Sequence, residues 1–197
     1  MLGLPENEDP SSFNQADLDE AVGRLVALIR AERPEVLVTY DDNGFYGHPD
    51  HVRANQITVA AWEAAGDPRR YTEPGLDPWT PLKLYYTTVA RSGFKTFGEK
   101  MRAAGLEPPF EGEDPVFGVE DDVITATIDI SRWVEIKRAA LMAHKTQMGA
   151  DVFFSKLPPA LFAELFDRES FIRFASRIDA AEKEADLFEG LNPQPMN

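Results

Sequence analysis

A short apolar run with a helix on either side most strongly constrains what this chain can fold into. Residues 35–40 are apolar and β-branched, which predicts a buried strand. The helix before it begins near Asn14 or Asp17, either of which would cap it, and its apolar positions recur at helical spacing: Leu18, Val22, Leu25 and Ile29. The helix after it starts with Pro49 and is flanked by His48. This order predicts an α/β fold with a ligand site beyond the carboxyl end of the strand.

The second half of the chain predicts two more strands, at residues 82–89 and 123–130. Helices are expected at residues 92–104 and after Ser131, which is expected to cap the second of them. That helix carries apolar residues on one face: Trp133, Ile136, Ala140 and Ala143. The tail predicts one or two helices, or an edge element, that cover the core with its aromatic residues: Phe153, Phe154, Phe162, Phe166, Phe171 and Phe174.

Composition narrows the functions that are open to the chain. Acidic residues outnumber basic ones 34 to 20, so the formal net charge is -14, which argues against nucleic acid or an anionic membrane as a partner. The chain has no cysteine, so a metal site would use His, Asp or Glu. No apolar run approaches the roughly 20 residues of a membrane span, and the first residues lack signal-peptide features. A cytoplasmic protein is expected.

The segment from Tyr46 to His51 is the strongest candidate for a functional site. Two of the three histidines, His48 and His51, lie three residues apart at a helix start, so both rings are expected on one face of the helix. Asp50 between them is a natural partner for a ring N–H. The alternative is that both histidines are ordinary polar residues, and the strand, proline and nearby glycines favour the functional interpretation.

Several segments together resemble one known family. They are Arg33-Pro34, Val38-Thr39-Tyr40-Asp41, Asn43-Gly44, Tyr46-Gly47-His48-Pro49-Asp50-His51, Ala54-Asn55, residues 81–86, residues 128–140 and residues 143–147. In this set the chain resembles the PIG-L/LmbE-like zinc-dependent de-N-acetylases, and within them the actinobacterial mycothiol-pathway deacetylases and amidases. The resemblance implies a Rossmann-like three-layer α/β sandwich with a mostly parallel sheet. It also implies a small-molecule amino-sugar substrate, such as an N-acetylglucosaminyl conjugate, and Zn²⁺ as cofactor.

The resemblance also implies roles for the motif residues. His51 would be a zinc ligand, and His48 would stabilise the oxyanion or protonate the leaving group. Asp50 would hold His48 charged and oriented, and Tyr46 would line the site and donate a hydrogen bond to the oxyanion. These roles suit an amide hydrolase, in which zinc polarises the carbonyl and a positioned donor stabilises the charge that develops.

Other polar residues have both a functional and a structural interpretation. Asn43 is expected either to support the site or simply to favour the Asn-Gly turn. Arg53 would meet an anionic substrate group or remain solvated. His144 would contribute to the substrate pocket or be structural. The acidic stretch at residues 107–122 is expected to be a solvated surface loop, because it lacks the spacing of a calcium loop.

One part of the family pattern is absent from this sequence. A His-Pro-Asp-Asp motif after the first strand supplies the family's other two zinc ligands and its general base, whereas the His-Pro-Asp found here belongs to the segment assigned above. We therefore expect a single LmbE-like domain over residues 1–197 that lacks the N-terminal part of the sheet, with a frayed tail at 188–197. An open sheet edge would favour homo-oligomers. The alternative function is a catalytically inactive remnant that acts as a binding module.

Overall fold

The strands that the structure describes form one mixed sheet. Over residues 5–108, 118–146, 148–149 and 152–191, which the computed structural model describes, the sheet has four strands in the order β1-β2-β4-β3. Their bounds are β1 Val36–Thr39, β2 Lys83–Thr88, β3 Ala126–Asp129 and β4 Arg168–Ser176. The β1–β2 pair is parallel, and β4 pairs antiparallel with both β2 and β3. The α/β class is therefore confirmed, and the prediction of a mostly parallel sheet is wrong.

The prediction missed β4 because its residues continue an aromatic pattern that is also compatible with helix. Phe162 and Phe166 are four residues apart on a real helix, whereas Phe171 and Phe174 lie on β4. Phe171 is buried against Tyr85 of β2, with ring centroids 6.4 Å apart, so a long-range contact decides the conformation. The tail thus contributes an internal strand of the sheet and not an edge element.

Seven helices accompany these strands in the described parts of the chain. Their bounds are α1 Leu18–Glu32, α2 Gly44–Gly47, α3 Pro49–Ala64, α4 Arg91–Ala103, α5 Val134–Met142, α6 Phe153–Lys156 and α7 Pro159–Leu165. Single 3-10 turns lie at Pro5–Glu8, Phe13–Gln15 and Ser131–Trp133. No helix within the described ranges has the length and apolar character needed to cross a bilayer.

Helices α1 and α3 pack against each other beside β1 and position the motif segment. Asp17 caps α1, because its carboxylate accepts a hydrogen bond from the N–H of Glu20 at 2.9 Å. The cluster between the helices is apolar and well buried: Val22, Val26, Ile29, Ile57, Ala61, Ala64 and Ala65. The paired histidines lie at the start of α3, so this packing fixes their position relative to the sheet.

The helix predicted after Ser131 buries a different face from the expected one. Ser131 makes no side-chain cap, and its own N–H donates to Asp129 Oδ1 at 2.9 Å. Trp133 is 49% exposed and Ile136 is 62% exposed, whereas Val134 is buried in a cluster with α4 and α7 residues. The 3-10 turn at 131–133 shifts the start of α5, and the predicted apolar face turns toward solvent.

The predicted acidic loop and the predicted frayed tail both fall partly outside the described residues. Residues 118–122 of the acidic loop form a bridge and turn, and Gly118 and Glu120 both bind Arg91, while residues 109–117 lie outside the described ranges. Of the predicted frayed tail, residues 188–191 form a turn in which the N–H of Leu191 donates to Phe188 at 3.0 Å. Residues 192–197 lie outside the described ranges.

A buried carboxylate fixes the segment after β4 to the sheet. Glu184 accepts hydrogen bonds from Lys83 at 2.6 Å, from the hydroxyl of Tyr85 at 2.7 Å, and from Arg173 at 2.6 Å. Burial alone would raise the pKa of the Glu184 carboxyl, but these three hydrogen bonds bring it below its usual value. The group is therefore a carboxylate at neutral pH, matched by two cations from neighbouring strands.

Neutralising Glu184 is expected to cost much of the stability of the protein. Glu184→Gln leaves the fully buried ammonium of Lys83 without its anion, and breaking a buried pair in this way costs about 3–5 kcal/mol. The free energy of unfolding in urea measures this loss. The exposed Glu182→Gln is the matched control and should stay within about 0.5 kcal/mol of the parent. Equal effects of the two substitutions would contradict the assignment.

Candidate active site

The loop between β1 and α3 is a tight turn held by its own acidic residue. Asp41 accepts a hydrogen bond from the N–H of Phe45 at 2.7 Å, and its carbonyl accepts from Gly44 at 3.0 Å. Phe45 has φ 67° and ψ -56°, a strained conformation for a residue with a side chain. Asn43 is exposed at the start of this turn, and its carbonyl accepts from Gly47 at 2.9 Å. Local turn geometry thus accounts for the backbone of Asn43.

His48 caps the helix that follows the turn. Its Nδ1 accepts a hydrogen bond from the backbone N–H of Asp50 at 3.2 Å, and the residue is 8% exposed. Pro49 has no N–H, so the N–H of Asp50 is the first donor of α3 that needs a partner. A backbone N–H can only donate, so Nδ1 is unprotonated and the neutral ring carries its proton on Nε2.

His51 has the opposite arrangement of its ring nitrogens. Its Nδ1 lies 3.2 Å from the carbonyl oxygen of Gly44, and because a carbonyl can only accept, Nδ1 carries the proton. The lone pair therefore lies on Nε2. Burial is the main cause that lowers the pKa of the His51 imidazole, and the Gly44 hydrogen bond opposes it. The ring is thus held neutral in a tautomer that suits a metal ligand.

The structure brings the two motif histidines together and surrounds them with tyrosines. The ring centroids of His48 and His51 are 4.9 Å apart, as their spacing in the sequence suggests. Tyr40 stacks on His51 at 3.9 Å with an interplanar angle of 3°. Tyr46 meets His51 edge-on at 5.2 Å and is 42% exposed, so its ring forms the open side of the group.

Tyr40 and Asn55 are site residues to which the sequence analysis assigned no role. Asn55 is buried on α3 and its side-chain amide donates to the carbonyl of Tyr40 at 2.8 Å, which fixes the end of β1 beside the helix. Burial raises the pKa of the Tyr40 hydroxyl. Both residues belong to segments that carry the family resemblance, and this membership is the sequence feature that could have identified them as site residues.

Asp50 and Arg53 contact the N-terminal segment of the chain. The Asp50 carboxylate accepts from the backbone N–H of Asn14 at 3.0 Å. Arg53 donates from Nε and Nη2 to the carbonyl of Asn14, at 3.0 and 2.8 Å. Asp50 reaches His48 through its backbone N–H, which requires an unprotonated Nδ1. The expected role of the Asp50 carboxylate in holding a charged His48 stays a prediction.

An open cleft of about 360 Å³ lies next to these contacts. The residues that line it come from the N-terminal segment, the motif loop and α3: Asn14, Gly47, Pro49, Val52, Arg53 and Gln56. His48 lies in the chain between two of them, so the cleft lies next to the backbone of His48. Arg53 is the charged group on its wall.

His144 lies at the end of a different helix. Its Nδ1 contacts the carbonyls of Ala140 and Leu141 at 3.0 and 3.3 Å, and the residue is exposed. The position just after α5 and these contacts suit the favourable interaction of an imidazole with the last carbonyls of a helix. This local role explains the geometry of His144 without a ligand.

The described residues do not make a complete metal site. Within the ranges that the structure describes, no cluster of three or more His, Asp or Glu side chains is arranged to hold a metal ion. A catalytic zinc normally has three protein ligands and a water. His51 has the free Nε2 of a ligand, so the site fits one zinc contact and does not fit the complete ion.

Comparisons with known proteins match this part of the chain and beyond. A family model described as PIG-L, GlcNAc-PI de-N-acetylase, matches residues 3–62, which include the whole motif. A 1D-myo-inositol 2-acetamido-2-deoxy-alpha-D-glucopyranoside deacetylase of Geodermatophilus obscurus is 39% identical over 196 residues, covering 97% of this chain and 66% of the relative. A relative from Frankia alni, named as deacetylase 2 for the same compound, is 38% identical over 204 residues, covering 97% of this chain and 68% of the relative.

A third relative, with the same deacetylase name, comes from Thermobispora bispora and is 45% identical over 152 residues, covering 75% of this chain and 49% of the relative. The chain thus spans about half to two thirds of the length of the curated relatives that it matches. A solved structure of a conserved protein from Thermus thermophilus is 20% identical, with a TM-score of 0.49, and the match covers 91% of this chain and 66% of that one.

Gly44→Ala is expected to disrupt the position of His51. A Cβ at Gly44 would lie 2.8 Å from the backbone nitrogen of Val52 and 2.9 Å from the Cβ of His51, and φ there is +66°. Strain and overpacking together are expected to cost about 2–4 kcal/mol of unfolding free energy. Gly75→Ala is the matched control, since its φ is +85° with open space around it, and it should cost about 1–2 kcal/mol. Similar losses at both positions would contradict the close approach.

The lowered pKa of His51 predicts a pH dependence of stability. The unfolded imidazole binds a proton first as the pH falls, so stability is complete above the ordinary value of 6.5 and declines as the pH drops from there toward the lower folded pKa. Urea unfolding between about pH 8 and about pH 5 in the absence of metal measures the decline. His51→Gln should reduce it, whereas His144→Gln, which removes an exposed imidazole, should retain it. An unchanged slope in His51→Gln would refute the prediction.

Proposed function

Because this chain belongs to the PIG-L family of de-N-acetylases, we propose that the protein hydrolyses the acetamide of an N-acetylated amino-sugar conjugate. The names of its relatives point to an N-acetylglucosaminyl inositol as the substrate class. The observation that carries the proposal is the complementary protonation of the paired histidines. One ring offers a proton from Nε2 and the other offers a lone pair from Nε2, 4.9 Å apart between centroids.

The proposed role of His48 is to donate a hydrogen bond to the charge that develops on the amide. Amide hydrolysis passes through a tetrahedral intermediate with a negative oxygen and then needs a proton on the leaving nitrogen. An Nε2–H that the helix cap already orients meets the first need without reorganisation, whereas protonation of the nitrogen would require the imidazolium form of the ring. Tyr46, on the open side, is proposed to add its hydroxyl as a second donor. Asp50 acts indirectly, by holding the ring of His48 in orientation.

The proposed role of His51 is to provide one ligand to Zn²⁺. The hydrogen bond to Gly44 and the stack on Tyr40 fix the ring, and its lowered pKa keeps Nε2 unprotonated at neutral pH. Bound zinc would supply the Lewis-acid activation of water that amide hydrolysis needs. The described residues offer this one contact, so further ligands and a general base must come from elsewhere in a complete enzyme.

The cleft between the N-terminal segment, the motif loop and α3 is proposed to receive the part of the substrate that does not react. Its wall combines the backbone of Gly47 with the polar side chains of Arg53 and Gln56, a set that suits hydroxyl groups of a sugar or cyclitol ring. Asn43, exposed at the rim of the motif turn, is proposed to take part in the same binding. His144 is the weakest member of the proposed substrate-binding set, because its ring already contacts the end of α5.

A second candidate function has one specific observation in its favour. Since the described residues contain no cluster able to hold a metal, the chain would serve as a binding module that recognises an amino-sugar without hydrolysing it. Binding of N-acetylglucosaminyl inositol that survives both a chelator and His51→Ala would support this alternative over the hydrolase.

The decisive experiment supplies what the described residues lack. The 197-residue chain alone is expected to bind zinc weakly, through His51, and to release no amine from N-acetylglucosaminyl inositol. A chimera that adds the unmatched third of the Geodermatophilus obscurus relative should bind one zinc and show turnover. In the chimera, His48→Ala should lower kcat about 10²–10³-fold, whereas the exposed control Glu182→Gln should stay close to the parent.

Three outcomes would contradict the proposal. Turnover by the 197-residue chain alone would show that its own residues complete the site. A chimera that binds zinc and the sugar but hydrolyses no amide would rule out the hydrolase. Equal loss of activity in the His48 and Glu182 variants would show that the paired histidines have no special role.

A further inference from the structure

The N-terminal segment is attached to the site helix by both backbone groups of one residue. The N–H of Asn14 donates to the carboxylate of Asp50 at 3.0 Å. The carbonyl of Asn14 accepts from the guanidinium of Arg53 through Nε at 3.0 Å and Nη2 at 2.8 Å. Asp50 and Arg53 are three residues apart, on one face of the first turns of α3. We call these three residues the Asn14 clamp.

The clamp is stronger than an ordinary surface contact. Each of its hydrogen bonds has one ionised partner, and such bonds are roughly twice as strong as neutral ones. All three residues are partly buried, which reduces screening by solvent. The side chain of Asn14 is also held, because its amide donates to the carbonyl of Asn7 at 2.9 Å and accepts from Ser12 at 2.7 Å. Asn14 therefore presents its backbone in a fixed orientation.

The clamp acts at the residue that sets the protonation of His48. Asp50 uses its carboxylate on Asn14 and its backbone N–H on Nδ1 of His48 at 3.2 Å. Because Pro49 has no N–H to offer, the cap depends on the orientation of Asp50 at the second position of α3. Movement of Asp50 by a fraction of an ångström would lengthen a bond that is already at the upper end of the usual range.

From these contacts we infer that Arg53 is a positioning residue for His48. Arg53 holds the carbonyl of Asn14, Asn14 holds the carboxylate of Asp50, and Asp50 holds His48 with its proton on Nε2. The inference rests on the proposed function for the catalytic use of that proton, and its structural part stands on the clamp alone. Arg53 and Asn14 also line the cleft, so the clamp fixes part of the cleft wall as well as Asp50.

The position of the proton on each imidazole can be measured without substrate or metal. Long-range ¹H–¹⁵N spectra of the chain at about pH 8, where imidazoles are mainly neutral, distinguish the two tautomers. In the parent we expect the proton on Nε2 of His48 and on Nδ1 of His51. Arg53→Leu should lower the ratio of Nε2–H to Nδ1–H at His48 about five-fold, the effect of losing one hydrogen bond of ordinary net strength. His144 serves as the internal reference.

Two further variants separate positioning from general stability. Arg53→Lys keeps a cation near Asn14 and should restore most of the parental ratio. Arg177→Leu is the matched control: Arg177 also donates to backbone carbonyls, those of Pro81 at 2.8 Å and of Trp62 at 3.3 Å near the far end of α3. Arg177→Leu should leave the ratio of Nε2–H to Nδ1–H at His48 unchanged even if it lowers the stability of the protein. Circular dichroism and urea unfolding measure that stability.

The inference is overturned if folded Arg53→Leu keeps the parental ratio, if the parent itself has His48 protonated on Nδ1, or if Arg177→Leu changes the ratio as much. These readings do not depend on amide hydrolysis. Failure of the chimera to deacetylate would therefore count against the proposed function alone, whereas an unchanged ratio at His48 would count against the clamp alone.

Discussion

The first turn of α3 has backbone N–H groups that need acceptors, and this requirement connects the fold of the protein to its chemistry. The protein meets it with an imidazole at the position where serine, threonine or aspartate usually caps a helix. A hydroxyl would satisfy the helix equally well. Histidine in this position also becomes a hydrogen-bond donor through Nε2 alone, because the capping bond occupies Nδ1 and leaves the proton on Nε2. A single bond thus ends the loop, starts the helix and prepares His48 for a reaction.

The neighbouring backbone completes this arrangement from the other side. The turn that precedes His48 brings the carbonyl of Gly44 back onto His51, and the absence of a side chain at Gly44 lets the turn lie against the helix. The strain at Phe45 is confined to this turn and is supported by the carboxylate of Asp41. Strain of this kind persists where the surroundings over-determine it, as at many functional sites. The loop therefore has a defined conformation that positions His51 in the site.

Features that depend on residues close together in the chain were predicted well from the sequence. Four such features depend on contacts within a few residues: the strand at 36–39, the start of α3 at Pro49, the cap of α1 by Asp17, which was one of two candidates, and the pairing of His48 with His51. The prediction failed where distant segments decide. β4 is a strand because Phe171 packs on Tyr85, and no local pattern encodes that contact. The clamp of Asn14 by Arg53 and the buried carboxylate of Glu184 were missed for the same reason.

The place of β4 between β2 and β3 has a consequence for the order in which the chain folds. Residues 17–66 form a helix, a strand and a second helix whose contacts are close in sequence, so this part can form early on the ribosome. β2 and β3, however, have no direct pairing with each other and must wait for residues 168–176 to emerge before they are joined. At about 5–20 residues per second, several seconds of synthesis separate the end of β2 from the arrival of its partner. During that interval the side of β2 that faces away from β1 is an unpaired strand edge, the kind of surface that chaperones protect.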